Sequence, residues 1–106
     1  MTEKEFLEYV VAFCKRPRMY TPTGTFFEIV SLVDGFGSGA IDMEEVQGFH
    51  SALAPFQKWL AGRYESDTRF PLSWQDLRAH FDSDEEALRT FPLLYEEYLR
   101  DQETNG

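Results

Sequence analysis

The chain has 106 residues, enough for one hydrophobic core, and its 42% hydrophobic content with 10 Phe excludes an intrinsically disordered polymer. Its 19 Asp and Glu against 10 Lys and Arg leave a net charge of −9, a surface that repels nucleic acid and anionic lipid and steers toward basic partners. One cysteine, Cys14, excludes an internal disulfide or a multi-thiolate metal site and, beside Phe13, suits a buried small hydrophobe.

Thr2 and Glu5 form a capping box ahead of Phe6, Leu7, Val10, Val11, Phe13 and Cys14 at helical spacing, which predicts a first helix near residues 3–14. Arg16-Pro17-Arg18 stops it and Thr21 to Gly24 continues an irregular segment. A second box, Thr25 with Glu28, opens a strongly apolar stretch in which only Glu28, Ser31 and Asp34 are polar, the pattern of a central helix. Its β-branched Ile29, Val30 and Val33 would also suit a strand, but the chain offers no convincing partner strand. Gly35, Gly37 and Gly39 read as a helix stop and loop, since the basic residue and preceding strand of a phosphate-binding turn are missing.

From Asp42 a third helix carries Phe49, Ala52, Leu53, Phe56 and Leu60 on one face, with Pro55 expected to kink or divide it. Ser73 opens a short fourth helix through Trp74, Leu77 and Phe81. Ser83 and Glu86 cap a fifth, bearing Ala87, Leu88, Phe91, Leu94, Tyr95, Tyr98 and Leu99 and bent or broken near Pro92. The fold expected is all-α: an irregular bundle of about five helices in a single domain over residues 1–101, with 102–106 a frayed tail. Charged Glu3, Lys4, Glu5 and Glu8 at the N-terminus do not make a secretory signal, and no run approaches the roughly 18 apolar residues of a membrane span, so the expected location is cytoplasmic.

Residues able to do chemistry are sparse. Asp76, His80 and Asp84 at spacings of four would share a helix face and suit a metal-assisted hydrolase, but that requires a helix straight through Asp82-Ser83, where a new one is signalled. His50 near Glu45 is weaker still. Asp82, Asp84 and Glu86 imitate the start of a calcium loop, without its glycine or closing acid, and are explained by the dipole of a helix N-terminus. No nucleophile and base fall into a recognisable pattern, so the expectation is a protein without catalytic residues, metal or cofactor.

The least generic segment is Arg16-Pro17-Arg18-Met19-Tyr20, followed by a helix from Thr25 to Gly35. It resembles the Arg-Pro-x-Met-Tyr signature of small bacterial proteins, some encoded beside polymorphic or contact-dependent toxins, others of unknown role. Softer similarities continue with Trp74 opening a short helix and an acid-led helix containing Ala87 and Phe91, so that they extend over most of the chain. The resemblance implies an immunity protein: a non-catalytic domain that binds a cognate toxin and blocks its active site or an essential surface. Within the motif, Met19 and Tyr20 are expected to plug the end of the core, with Arg16 holding helix carbonyls or an internal carboxylate.

Partner binding then falls to acids and aromatics elsewhere: Glu44, Glu45, Asp82, Asp84, Glu85 and Glu86, with Tyr64, Tyr95 or Tyr98 as anchors. The acid excess is concentrated late, where Asp82, Asp84, Glu85, Glu86, Glu96, Glu97, Asp101 and Glu103 face only Arg89 and Arg100. A basic nuclease groove is one target such a surface would plug. The alternative is an acidic adaptor or DNA-mimic module that docks a basic protein without any toxin.

Overall fold

The computed structural model describes residues 2–40, 53–67 and 69–105, which form six helices and no strand. The all-α expectation holds among them, with one helix more than expected. Helix α1 (Glu3–Lys15) starts on the anticipated box: the Thr2 hydroxyl accepts the Glu5 N–H at 3.1 Å and the Glu5 carboxylate accepts the Thr2 N–H at 3.3 Å. Phe6, Val10, Phe13 and Cys14 are its buried face.

The motif, expected to be irregular, contains a short helix of its own, α2 (Pro17–Tyr20). Pro17 ends α1 but stands in the first turn of α2, where its missing N–H has no helical partner to lose and its fixed φ is already helical. The N–H and the hydroxyl of Thr21 both donate to the Pro17 carbonyl at 3.0 Å and close the turn. The Thr21 hydroxyl in turn accepts the Gly24 N–H at 3.0 Å. Gly24 takes φ +69°, the left-handed region, with its α-carbon against Pro17 and Arg18.

Helix α3 (Phe26–Ala40) begins on the second anticipated box and adds to it. The Glu28 carboxylate accepts the backbone N–H groups of Thr23 and Thr25, each at 3.2 Å, and both threonine hydroxyls. Phe26, Ile29, Val30 and Val33 are almost wholly buried, as a central helix requires, whereas Phe27 remains exposed. The helix does not stop at Gly35. It continues to Ala40, and Phe36 meets the rings of Tyr9, Phe13 and Phe6 at 4.8, 5.7 and 6.0 Å. Packing that ring against three others offsets the ~1 kcal/mol helix penalty of Gly35.

Helix α4 (Ala54–Arg63) follows a non-helical Leu53 and has Pro55 in its first turn, where its missing N–H costs no helical bond. The part of the anticipated third helix before Leu53, including Phe49, Ala52, Glu44 and Glu45, lies outside the described residues. After α4 the chain turns through Glu65 at φ +54°, and Leu72 is tied back to Gln57 by two hydrogen bonds of 2.9 and 3.1 Å. Helix α5 (Trp74–Arg78) is capped by the Ser73 hydroxyl, which accepts the Asp76 N–H at 3.1 Å.

Helix α6 (Asp84–Asn105) is one uninterrupted element with Pro92 inside it, reaching beyond the 102 boundary set for the tail. Proline there removes the donor for the Leu88 carbonyl. Pro92 and Leu88 both border an open cleft. The Ser83 hydroxyl caps α6 by accepting the Glu86 N–H at 3.1 Å, but Glu86 reaches back one residue further than a standard box, to the Asp82 N–H at 3.0 Å. α6 packs against α1, α3 and α4, and α1 and α5 pack against α3. At the centre, the Phe56 ring meets those of Tyr95, Tyr98, Phe91, Trp59 and Trp74 at 5.0 to 6.5 Å. No helix among the described residues is long and apolar enough to cross a membrane.

The Glu28 arrangement makes acid sensitivity predictable. Hydrogen bonds from Thr23, then from Thr25, hold its carboxyl below the ordinary 4.5. A depressed carboxyl stabilises the fold fully above the unfolded value, and that contribution is lost as pH falls below about 4.5 and through the folded value. Glu28→Gln is expected to lower the melting temperature at neutral pH and to flatten its fall in acid. Melting curves of both proteins between about pH 3 and pH 7 check this.

Candidate functional site

The acids and aromatics singled out from sequence are not brought together as one exposed face. Asp84 is half-buried and accepts the Arg78 Nε–H at 2.8 Å, while Arg78 also donates to the Phe81 carbonyl at 2.8 Å. Glu86 is occupied by the cap, and among the described acids of that group only Asp82 and Glu85 are exposed. Further along α6, Glu97 pairs with Arg63 at 3.1 Å and Glu96 with Arg100 at 2.6 Å, and Asp101 accepts the Trp59 indole N–H at 2.7 Å. The acid-rich end therefore spends much of its charge within the chain.

Tyr95 is a correction. It is 7% exposed, wedged among Phe6, Phe56 and Tyr98, and burial, reinforced by Glu3 and then Tyr98, drives its phenol well above the ordinary range. It anchors the core and has little surface for a partner. Tyr98 is half-buried against Phe56, Trp59 and Tyr95, its phenol raised by burial and then by Glu3. Tyr64 stacks on the His80 ring at 4.4 Å, and burial raises its phenol. That stacking, the end of α5 at Arg78 and the Asp84–Arg78 pair separate Asp76, His80 and Asp84. Among the described residues no group of three or more His, Cys, Asp and Glu is placed to hold a metal ion.

What the fold does expose is the motif. Met19 is 67% and Tyr20 45% accessible, so neither plugs the core. Tyr20 stands edge-on to Phe13 at 4.8 Å, Phe13 continues to Tyr9 at 6.3 Å, and Tyr9 is 46% accessible. The Arg16 guanidinium reaches no carboxylate among the described residues. It approaches the Met19 sulfur at 3.9 Å, and together with Ala12, Lys15 and Tyr20 these side chains line a shallow depression. A four-residue helix carries too few internal hydrogen bonds to bury both faces, so α2 rests on Pro17 and the Thr21–Gly24 turn and leaves Met19 and Tyr20 outward. The sequence signal for this was the shortness of the segment between two prolines, Pro17 and Pro22, which cannot present a long apolar stripe to a core.

On its other side α2 walls a cleft of about 690 Å³ between the end of α1, the 23–25 turn and the first half of α6. Its apolar lining is Val11, Cys14, Leu88, Pro92 and Leu93; its charged lining is Lys15, Arg18 and Arg89 with Asp84 and Glu85. Cys14 is buried, and burial pushes its thiol up to about 12, which leaves it a packing residue with no thiolate to attack a substrate near neutral pH. No family model, curated protein or solved structure matches this chain.

Proposed function

We propose that this chain is a non-catalytic binding protein of the immunity type, which neutralises a cognate bacterial toxin domain by occupying a basic, essential surface on it. The observation that carries the reading is the outward display of the motif: Arg16, between α1 and α2, and Met19 and Tyr20 on α2 lie exposed together, with exposed Tyr9 of α1 linked to Tyr20 through the buried Phe13 ring. Tyr and Arg are the residues that most often dominate interface energy, and Met is enriched at interface centres. The net charge of −9 supplies the complementary long-range term, steering a cationic partner in before the patch anchors it. Stoichiometric occlusion needs no catalytic group. The resemblance of the motif to proteins encoded beside toxins supplies the kind of partner. The acidic adaptor or DNA-mimic alternative draws less support, because Asp84, Glu86, Glu96, Glu97 and Asp101 are engaged inside the chain and do not present a regular row of free anions.

Co-expression with the toxin domain encoded next to this gene is expected to restore growth, and the pair to elute as one complex in gel filtration. Met19→Ala with Tyr20→Ala is expected to weaken that complex by at least about tenfold through faster dissociation. Wild-type protein and toxin domain that stay separate at about micromolar concentration overturn the proposal.

A further inference from the structure

Three unpaired cations meet in one cleft of this acidic chain. With nearly twice as many acids as bases, every cation has anions to spare, and Arg63, Arg69, Arg78 and Arg100 each take one. Lys4, Lys15, Arg16, Arg18, Lys58 and Arg89 take none among the described residues, and of these Lys15, Arg18 and Arg89 line the cleft between α1, α2 and α6. Glu85 stands one helical turn before Arg89, the spacing at which a surface pair ordinarily forms, and no such pair is present. The other acid in the lining, Asp84, is already neutralised by Arg78 at 2.8 Å. The cleft is thus locally cationic within a protein that is anionic overall.

The same cleft is apolar below that rim. Val11 and Leu93 reach it from opposite walls while remaining 43% and 61% accessible, and Cys14 and Leu88 lie buried beside them. Its volume of about 690 Å³ falls within the roughly 300–1,000 Å³ of small-molecule sites. Exposed leucine beside uncompensated arginine is the lining expected for a ligand that is apolar along its body and anionic at one end.

We infer that this cleft binds a small amphiphilic carboxylate, its chain on Val11, Leu88, Pro92 and Leu93 and its head group among Lys15, Arg18 and Arg89. The two planar guanidinium groups suit a carboxylate, which they can engage through paired N–H donors. This site adjoins the outward motif patch, with Lys15 bordering both, and does not depend on the chain being an immunity protein.

Sodium octanoate, 1-octanol and inorganic phosphate serve as probes of the full chain, by calorimetry and by amide chemical-shift titration. Octanoate is expected to bind saturably at up to about millimolar concentration, shifting amides of Val11, Lys15, Arg18, Arg89 and Leu93, and to weaken with salt. Octanol and phosphate are each expected to bind at least about tenfold more weakly, since each supplies only half of the recognition. Arg18→Glu with Arg89→Glu, and separately Leu93→Ser, are expected to lower octanoate affinity at least about tenfold; these exposed sites leave the melting temperature close to wild type. Octanol binding as tightly as octanoate, phosphate binding as tightly as octanoate, shifts centred away from the cleft, unchanged affinity in both folded variants, or no saturable binding would each overturn the assignment.

Discussion

Phe56→Ala is expected to destabilise the protein by about 3–5 kcal/mol, the range for deleting a buried aromatic ring and leaving a cavity. Phe56 is 1% exposed and touches rings from α4, α5 and α6, so no single neighbour can collapse into the space without leaving the others. For a domain whose whole stability is about 5–15 kcal/mol, that loss removes a large share of it. Urea denaturation followed by tryptophan fluorescence measures it, because Trp59 and Trp74 both adjoin the ring. Phe70→Ala is the control: at 63% exposure its loss is expected to stay within about 0.5 kcal/mol. Equal midpoints for the two variants would mean that the aromatic cluster does not organise the core.

Gly24→Ala is expected to cost about 2 kcal/mol, from a left-handed conformation that penalises any side chain by about 1–2 kcal/mol and from crowding added to it. A β-carbon at Gly24, where φ is +69°, would lie 3.0 Å from Arg18 Cγ, 3.3 Å from the Arg18 backbone nitrogen and 3.3 Å from Pro17 Cβ. The Arg18 side chain can yield; the backbone nitrogen and the proline cannot. Because Gly24 joins α2 to the start of α3 and lines the cleft, the same change is expected to shift the amides of Arg18 and Thr25. Gly35→Ala has the opposite sign. Its β-carbon meets nothing within 4 Å inside a helix, so it is expected to stabilise by about 0.5–1 kcal/mol. Chemical denaturation of the pair distinguishes backbone strain from a general intolerance of alanine.

The starts of α1, α3, α5 and α6 were legible because capping is a local matter of three or four residues. Thr2 with Glu5, Thr25 with Glu28, Ser73, and Ser83 with Glu86 all engage their helix ends as their spacing suggests. The ends were less legible. Gly35 reads as a stop from local propensity alone, but three aromatic rings brought by α1 reward continuing to Phe36, and those rings are distant in sequence. Pro55 and Pro92 show the same contrast: each lacks a backbone donor, and what that costs depends on where the missing donor falls. At Pro55 it falls in a first turn, and at Pro92 beside an open cleft.

For the site, composition identified the charge and the motif stood out in the chain, but neither its exposure nor the cleft behind it followed. Met19 looks like a core residue by type and is the most exposed of the large hydrophobic side chains described; Tyr95 looks like an interface residue by type and is core. The acids of α6 appear free in sequence because their partners, Arg63, Arg78 and Trp59, lie on other elements.

The sequence by itself determined the all-helical class, the starts of α1, α3, α5 and α6 and the net negative charge, since these depend on composition and on neighbours within a turn. Tertiary structure alone decided which charges are cancelled, which aromatics are buried, and that Lys15, Arg18 and Arg89 share an apolar cleft. Pairing and burial are properties of distance between residues far apart in the chain, and that distance exists only once α1, α2 and α6 have packed together.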